Sequence, residues 1–148
     1  MYTCSGLAPG PDASGPLRNP HRTRCTALPA TEQAPGLARQ ATRETLPAWQ
    51  LAQLEETALL LVSELVTNAV RHARNQGCMI ELRLETTAGG LRIEVHDGDS
   101  RWPQPGTPDG LDESGFGFVL VNALSRTWGV TDLAAGKAVW AELDTREP

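Results

Sequence analysis

Long apolar runs are missing from this 148-residue chain. No stretch approaches the ~20 residues that a membrane-spanning helix needs. The N-terminus lacks the basic-then-apolar pattern of a secretory signal. Basic charge is also scarce. Thirteen Lys and Arg against 18 Asp and Glu leave a net charge of -5, which argues against a phosphate-binding nucleic-acid surface. Cysteine is rare and odd in number: Cys4, Cys25 and Cys78 match no metal-binding spacing. The expectation is a reducing cytoplasm, with no structural disulfide or zinc site. There is no internal repeat and no Gly-Lys-Ser/Thr phosphate loop.

What remains suits one domain with a real core, at 40 % hydrophobic and 21 % charged residues. Residues 1–25 are rich in Gly and Pro, lack periodicity, and read as a disordered tail. The folded domain is expected over 26–148, opening with a short strand near Cys25 to Leu28. A helix is predicted from Thr31 to Leu46, with Thr31 as N-cap and Leu37, Ala41 and Thr45 or Leu46 inward. Pro35 allows a later start near Ala34, and Pro47 ends the helix or separates it from the next. A second helix is predicted from Leu51 to Arg74, its apolar residues recurring every three or four positions. The period then changes to two. "MIELRLET" and "LRIEVHD", joined by "AGG", predict a hairpin with one buried face and one wet face. Residues 98–114 form a long polar loop suited to a lid. A helix from Gly117 to Ser125 and a last hairpin around "LAAG" complete the chain. This order predicts a two-layer α+β sandwich, with helices packed on one face of a mostly antiparallel sheet.

Three segments carry candidate chemistry. In "SELVTNAVRHA", residues 63–73, Glu64, Asn68 and Arg71 fall on one narrow arc at about 100° per residue. Leu65, Val66, Ala69, Val70 and Ala73 lie beside or opposite it. Asn is a poor helix-interior residue, but its amide oxygen suits a hard cation, and a carboxylate one turn earlier can orient a water or take a proton. A solvated polar face is the bland alternative. In "VHDGD", Asp97 leaves a strand where it can accept a hydrogen bond from an exocyclic amine, and Gly98 lets a ligand near the backbone. An ordinary Asp-Gly turn reads the same way. In "ESGFGFVLV", Gly115 and Gly117 precede a helical run, where backbone amides make an anion site. The dinucleotide fingerprint is excluded, because no strand precedes the segment and a third glycine is absent.

Taken in order, these segments resemble the GHKL, or histidine-kinase-like, ATPase domain over residues 25–144. The similarity is closest to the stand-alone anti-sigma-factor serine/threonine kinases of bacteria. "LLLVSELVTNAVRHA" is similar to their N box, "EVHDGD" to the first glycine box, and "ESGFGFVLVNALSRTWGV" to the second. "GKAVWAEL" is similar to their closing strand. The resemblance implies the Bergerat-type sandwich and a site for ATP and Mg²⁺. Asn68 would hold Mg²⁺ and Glu64 would act as the base or water-orienting carboxylate. Asp97 and Gly98 would take the adenine, while Gly115 and Gly117 would hinge the lid and offer amides to phosphate. Arg71 and His72 are further candidates near the phosphates. Phe116 caps the nucleotide or fills space, and Phe118 joins the core.

The same resemblance implies a sigma factor and a STAS-type anti-anti-sigma protein as partners, cytoplasmic residence and a possible homodimer. One departure stands out. Relatives often read Gly-Lys-Thr where this chain has Gly136, Lys137 and Ala138. A missing hydroxyl there would weaken the adenine site by about 1 kcal/mol. That leaves two functional readings, a protein kinase and an ATP-binding regulatory module with little phosphoryl transfer. A detached histidine-kinase catalytic domain fits less well, since no phospho-acceptor helix pair precedes residue 50.

Overall fold

The computed structural model describes residues 21–72, 79–97, 115–133 and 136–145. Its elements run β1 (Thr23–Pro29), α1 (Ala34–Ala48), a 3₁₀ turn (Ala52–Leu54), α2 (Glu55–His72), β2 (Met79–Thr86), β3 (Gly90–Asp97), α3 (Gly115–Leu124), β4 (Thr127–Leu133) and β5 (Gly136–Asp144). The strands form one five-stranded sheet in the order β1-β2-β3-β5-β4. Every neighbouring pair is antiparallel. The predicted α+β class and both hairpins hold.

The strands owe their inner face to strict alternation. Ile80, Leu82 and Leu84 of β2, Leu91, Ile93 and Val95 of β3, and Ala141 and Leu143 of β5 are all buried. Helix α2 covers them with Ala58, Leu61, Val62, Leu65, Val66 and Ala69, none more than 6 % exposed. Each fully buried Leu or Val contributes about 1.5–3 kcal/mol, so this interface is the main source of stability. Helix α1 adds Ala34, Ala38, Ala41 and Leu46. Thr42 and Thr45 are buried there too, because their hydroxyls donate to the carbonyls of Ala38 and Ala41 one turn back.

Several boundaries differ from expectation. Strand β1 begins at Thr23, so residues 23–25 belong to the sheet and not to a tail. Helix α1 begins at Ala34, the later of the two expected starts, with Gln33 rather than Thr31 as N-cap and Pro35 in its first turn, where the missing N–H costs nothing. Thr31 instead accepts from the Gln33 N–H through Oγ1 at 3.2 Å. Pro47 sits inside the last turn of α1 and does not end it. Leu37, expected inward, is 43 % exposed, because Ala34, Ala38, Ala41 and Thr45 define the packed stripe. Helix α3 starts at Gly115, two residues early.

The opposite sheet face is polar, as alternation requires, but it is not simply wet. Glu81 is only 6 % exposed. Cys25 pairs with Arg83 on this face and is disulfide-bonded, which overturns the expectation of no disulfide. Its sequence spacing excluded a metal motif but said nothing about which sulfurs meet in space. Cys4 and Cys78, the predicted tail before residue 21 and the predicted lid over 98–114 all lie outside the described residues.

Gly90, at the start of β3, is held by close approach. A Cβ there would lie 2.0 Å from the Leu143 carbonyl oxygen on β5. Backbone cannot yield as a side chain can, so Gly90→Ala should destabilise the fold by about 3 kcal/mol or more. A lowered urea midpoint with unchanged slope is the expected reading.

Candidate functional site

The topology gathers the three sequence segments at one end of the sheet. Leu54 and Thr57, at the start of α2, share a cleft with Ala123, Leu124 and Ser125 at the end of α3, and with Leu143 and Asp144 at the end of β5. This is the far end. Helices α2 and α3 therefore run antiparallel to each other, and the C-terminal end of α2 and the N-terminal end of α3 lie at the opposite end. There β3 finishes at Asp97 and β5 begins at Gly136. The elements that carry Asn68, Asp97 and Gly115 thus point those residues' ends of the fold the same way.

Burial separates the residues of the α2 stripe. Asn68 is 8 % exposed and lies at the edge of the core between Leu65 and Ala69. Its Nδ2 makes no hydrogen bond within the protein, although the residue has other contacts. Glu64 is half-buried and Arg71 is exposed. A merely solvated face does not describe Asn68. His72 is the last residue of α2, but its side chain lies outside the described residues. So do Gly98 and the side chains of Phe116 and Phe118. Gly115 and Gly117 fall within the first turn of α3 rather than ahead of it.

Asp97 continues the inward row of Leu91, Ile93 and Val95, and it is 2 % exposed. Its cross-strand partner is Lys137, also 2 % exposed. The Lys137 Nζ donates to both carboxylate oxygens of Asp97 at 3.2 Å. Sequence reasoning missed this pair. The signal was present, because Lys137 shares the period-two row of Val139, Ala141 and Leu143. Gly136 before it has a φ of 132°, which favours glycine at the entry to β5.

The same register places Ala138. Ala138 pairs with His96, so it sits on the opposite face from the inward row that ends in Asp97. The residue that meets Asp97 across the strands is Lys137.

Across the sheet, the polar face holds its own network. His96 Nε2 lies 2.7 Å from Glu94 Oε1, and its Nδ1 lies 3.5 Å from Glu81 Oε1. Arg92 donates to Glu94 and, at 2.9 Å, to Glu142. Its guanidinium stacks 4.2 Å from the Trp140 ring centroid. Burial alone would raise the Glu94 carboxyl, but hydrogen bonds from His96 and Arg92 and their charges hold it down at about 2. A depressed carboxylate stabilises the fold above its unfolded value and loses that contribution as pH falls toward 2. Acidification from about pH 5 to 2 should therefore remove about 1–2 kcal/mol through Glu94, after allowance for solvent screening. Glu94→Gln should flatten that part of a stability-against-pH curve measured by urea unfolding.

Comparison with known proteins agrees with this fold. A family model described as a histidine kinase-like ATPase domain matches residues 28–143. The crystal structure of the RsbU and RsbW domains of Rv1364c from Mycobacterium tuberculosis is similar, with a TM-score of 0.60 and 21 % identity. The match covers 85 % of this chain and 33 % of that one, so the likeness concerns the fold, and this chain spans about a third of that protein. No curated protein matches the chain.

Proposed function

The chain belongs to the histidine kinase-like ATPase family, and on that premise we propose that it binds Mg-ATP and transfers the γ-phosphoryl group to a serine or threonine of a protein partner. The observation that carries this reading is the placement of buried Asn68 and buried Asp97, from different elements, at one end of the sandwich. An amide oxygen is a suitable ligand for a hard cation, and Mg²⁺ is ordinarily held by one or two protein oxygens together with substrate phosphates and waters. The ion, when bound, supplies charge neutralisation at the phosphates.

Each residue then has one task. Asn68 holds the metal through its side-chain oxygen. Glu64, four residues earlier and partly open to solvent, orients the attacking hydroxyl and accepts its proton. Asp97 accepts from the exocyclic amine of adenine, and Gly98 keeps the backbone close. The amides around Gly115 and Gly117 face the phosphates at the N-terminus of α3. On the same reading Arg71, His72 and Phe116 are further candidates for the nucleotide site, and Phe118 is expected in the core. Catalysis is chiefly positioning and charge stabilisation, with little covalent work for the protein.

The partner class follows from the motif resemblance: a sigma factor held by the protein, and a STAS-type antagonist that receives the phosphate. Cytoplasmic residence follows from such partners rather than from the cysteines. Among the described residues no helix is long and apolar enough to cross a membrane. A second reading is a nucleotide-binding regulatory module without transfer.

Two substitutions separate the readings. Asn68→Ala should weaken Mg-ATP binding in calorimetry on the order of 100-fold. Glu64→Gln should keep binding while cutting transfer of labelled γ-phosphate to a STAS-domain protein on the order of 100-fold or more. Tight Mg-ATP binding by the unaltered chain, with no transfer to any such protein, would establish the second reading.

A further inference from the structure

The Lys137–Asp97 pair is costly to bury. Two ions taken from water recover little net stability over an apolar pair of the same size, and both are 2 % exposed. Neighbours on that face are apolar: Ile80 and Leu82 on β2, Val95 on β3 and Val139 on β5. The remaining charged or titratable groups on the elements around them are few. Asp132 of β4 stands opposite Lys137 and is exposed, Arg71 of α2 is exposed, and Glu64 is half-buried. Glu81, Glu94 and His96 lie on the other face. Lys137 is a cation that meets Asp97 within the described interior, and each of the two has further contacts besides.

This inference rests on the reading of Asp97 as the acceptor for the base amine. The ionised form serves that task best, because a proton turns one acceptor oxygen into a donor and removes the charge that strengthens the bond to the other. Burial among apolar side chains drives a lone carboxylate toward the neutral form. We propose that Lys137 is a positioning residue for base recognition: held across the β3–β5 register, its ammonium keeps Asp97 ionised and fixes the direction of its oxygens. The selective consequence is an acceptor whose strength does not vary across physiological pH.

The test uses the full chain, with Lys137→Arg, Lys137→Met and the double variant Asp97→Asn/Lys137→Met. Mg-ATP affinity is measured by calorimetry from about pH 5.5 to 8, and the Asp97 carboxyl is followed by ¹³C NMR without nucleotide. The unaltered chain and Lys137→Arg should give flat affinity profiles and an ionised carboxyl throughout. Lys137→Met should bind at least about tenfold more weakly at the acid end and tighten as pH rises, with the carboxyl titrating in the same window. The double variant should be weak and flat.

Wild-type affinity and a flat profile in Lys137→Met would overturn the proposal, as would an Asp97 that stays ionised in that variant. A Lys137→Arg as impaired as Lys137→Met would reduce Lys137 to packing and equally overturn it. If Lys137→Met does not fold while the double variant does, Lys137→Gln takes its place in the same two measurements, with the same outcomes deciding. If neither folds, packing is the role and the proposal falls. Failure of the unaltered chain to bind Mg-ATP would sink the nucleotide reading and the base-recognition role with it. The NMR arm would still decide separately whether Lys137 holds Asp97 ionised.

Discussion

The apolar face of α2 fixes that helix in rotation as well as in place. Ala58, Leu61, Val62, Leu65, Val66 and Ala69 fit the inward side chains of β2, β3 and β5 in one orientation, and close packing leaves little room to turn. Given that orientation, Asn68 falls at the rim of the core, Glu64 at half depth and Arg71 in solvent. The gradation along the polar arc is therefore a product of hydrophobic packing. A site residue here is aimed by the leucines and valines next to it, and its chemistry inherits their rigidity.

The second constraint is register. In an antiparallel sheet each side chain's face is set by counting, and a slip of one residue reverses it. Lys137 meets Asp97 and Ala138 meets His96 for that reason alone. One face of the central strands then carries a buried ion pair at the end of an apolar row. The other carries a linked row of Glu81, His96, Glu94, Arg92 and Glu142. The two faces carry charge differently: among the described residues an ion pair lies inside, and outside runs a shared network in which Arg92, Glu94 and His96 each have two partners.

Much of the fold was legible because its signals are local. The period-two runs from Met79 and Leu91 and the apolar recurrence in α2 mark their elements without help from tertiary structure. Asn68 stood out because its type is poor inside a helix, whereas Asp97, which reads equally as an ordinary Asp-Gly turn, gained meaning only from the order of the three segments. The failures have physical causes. Leu37 is apolar, yet Ala34 and Ala38 claim the packed stripe of α1 beside it. Lys137 was passed over because a charged residue is rarely expected inside, although its row was plainly the inward one. Attention went to Ala138 because a motif comparison works by residue type, whereas the register depends on spatial pairing. The Cys25 disulfide was hidden for a similar reason, since sulfur pairing depends on proximity that spacing does not report.

The central strand β3 is completed by β5, its neighbour in space but not in sequence. Asp97 and Lys137 lie 40 residues apart, with α3 and β4 between them. Closing so long a loop is entropically slow compared with forming the β2–β3 hairpin. On a growing chain, Asp97 stays hydrated until the last strand docks. Burial of its charge and completion of the sheet are then the same event, and the ion pair becomes a late checkpoint in assembly, closed only when the whole sandwich has been made.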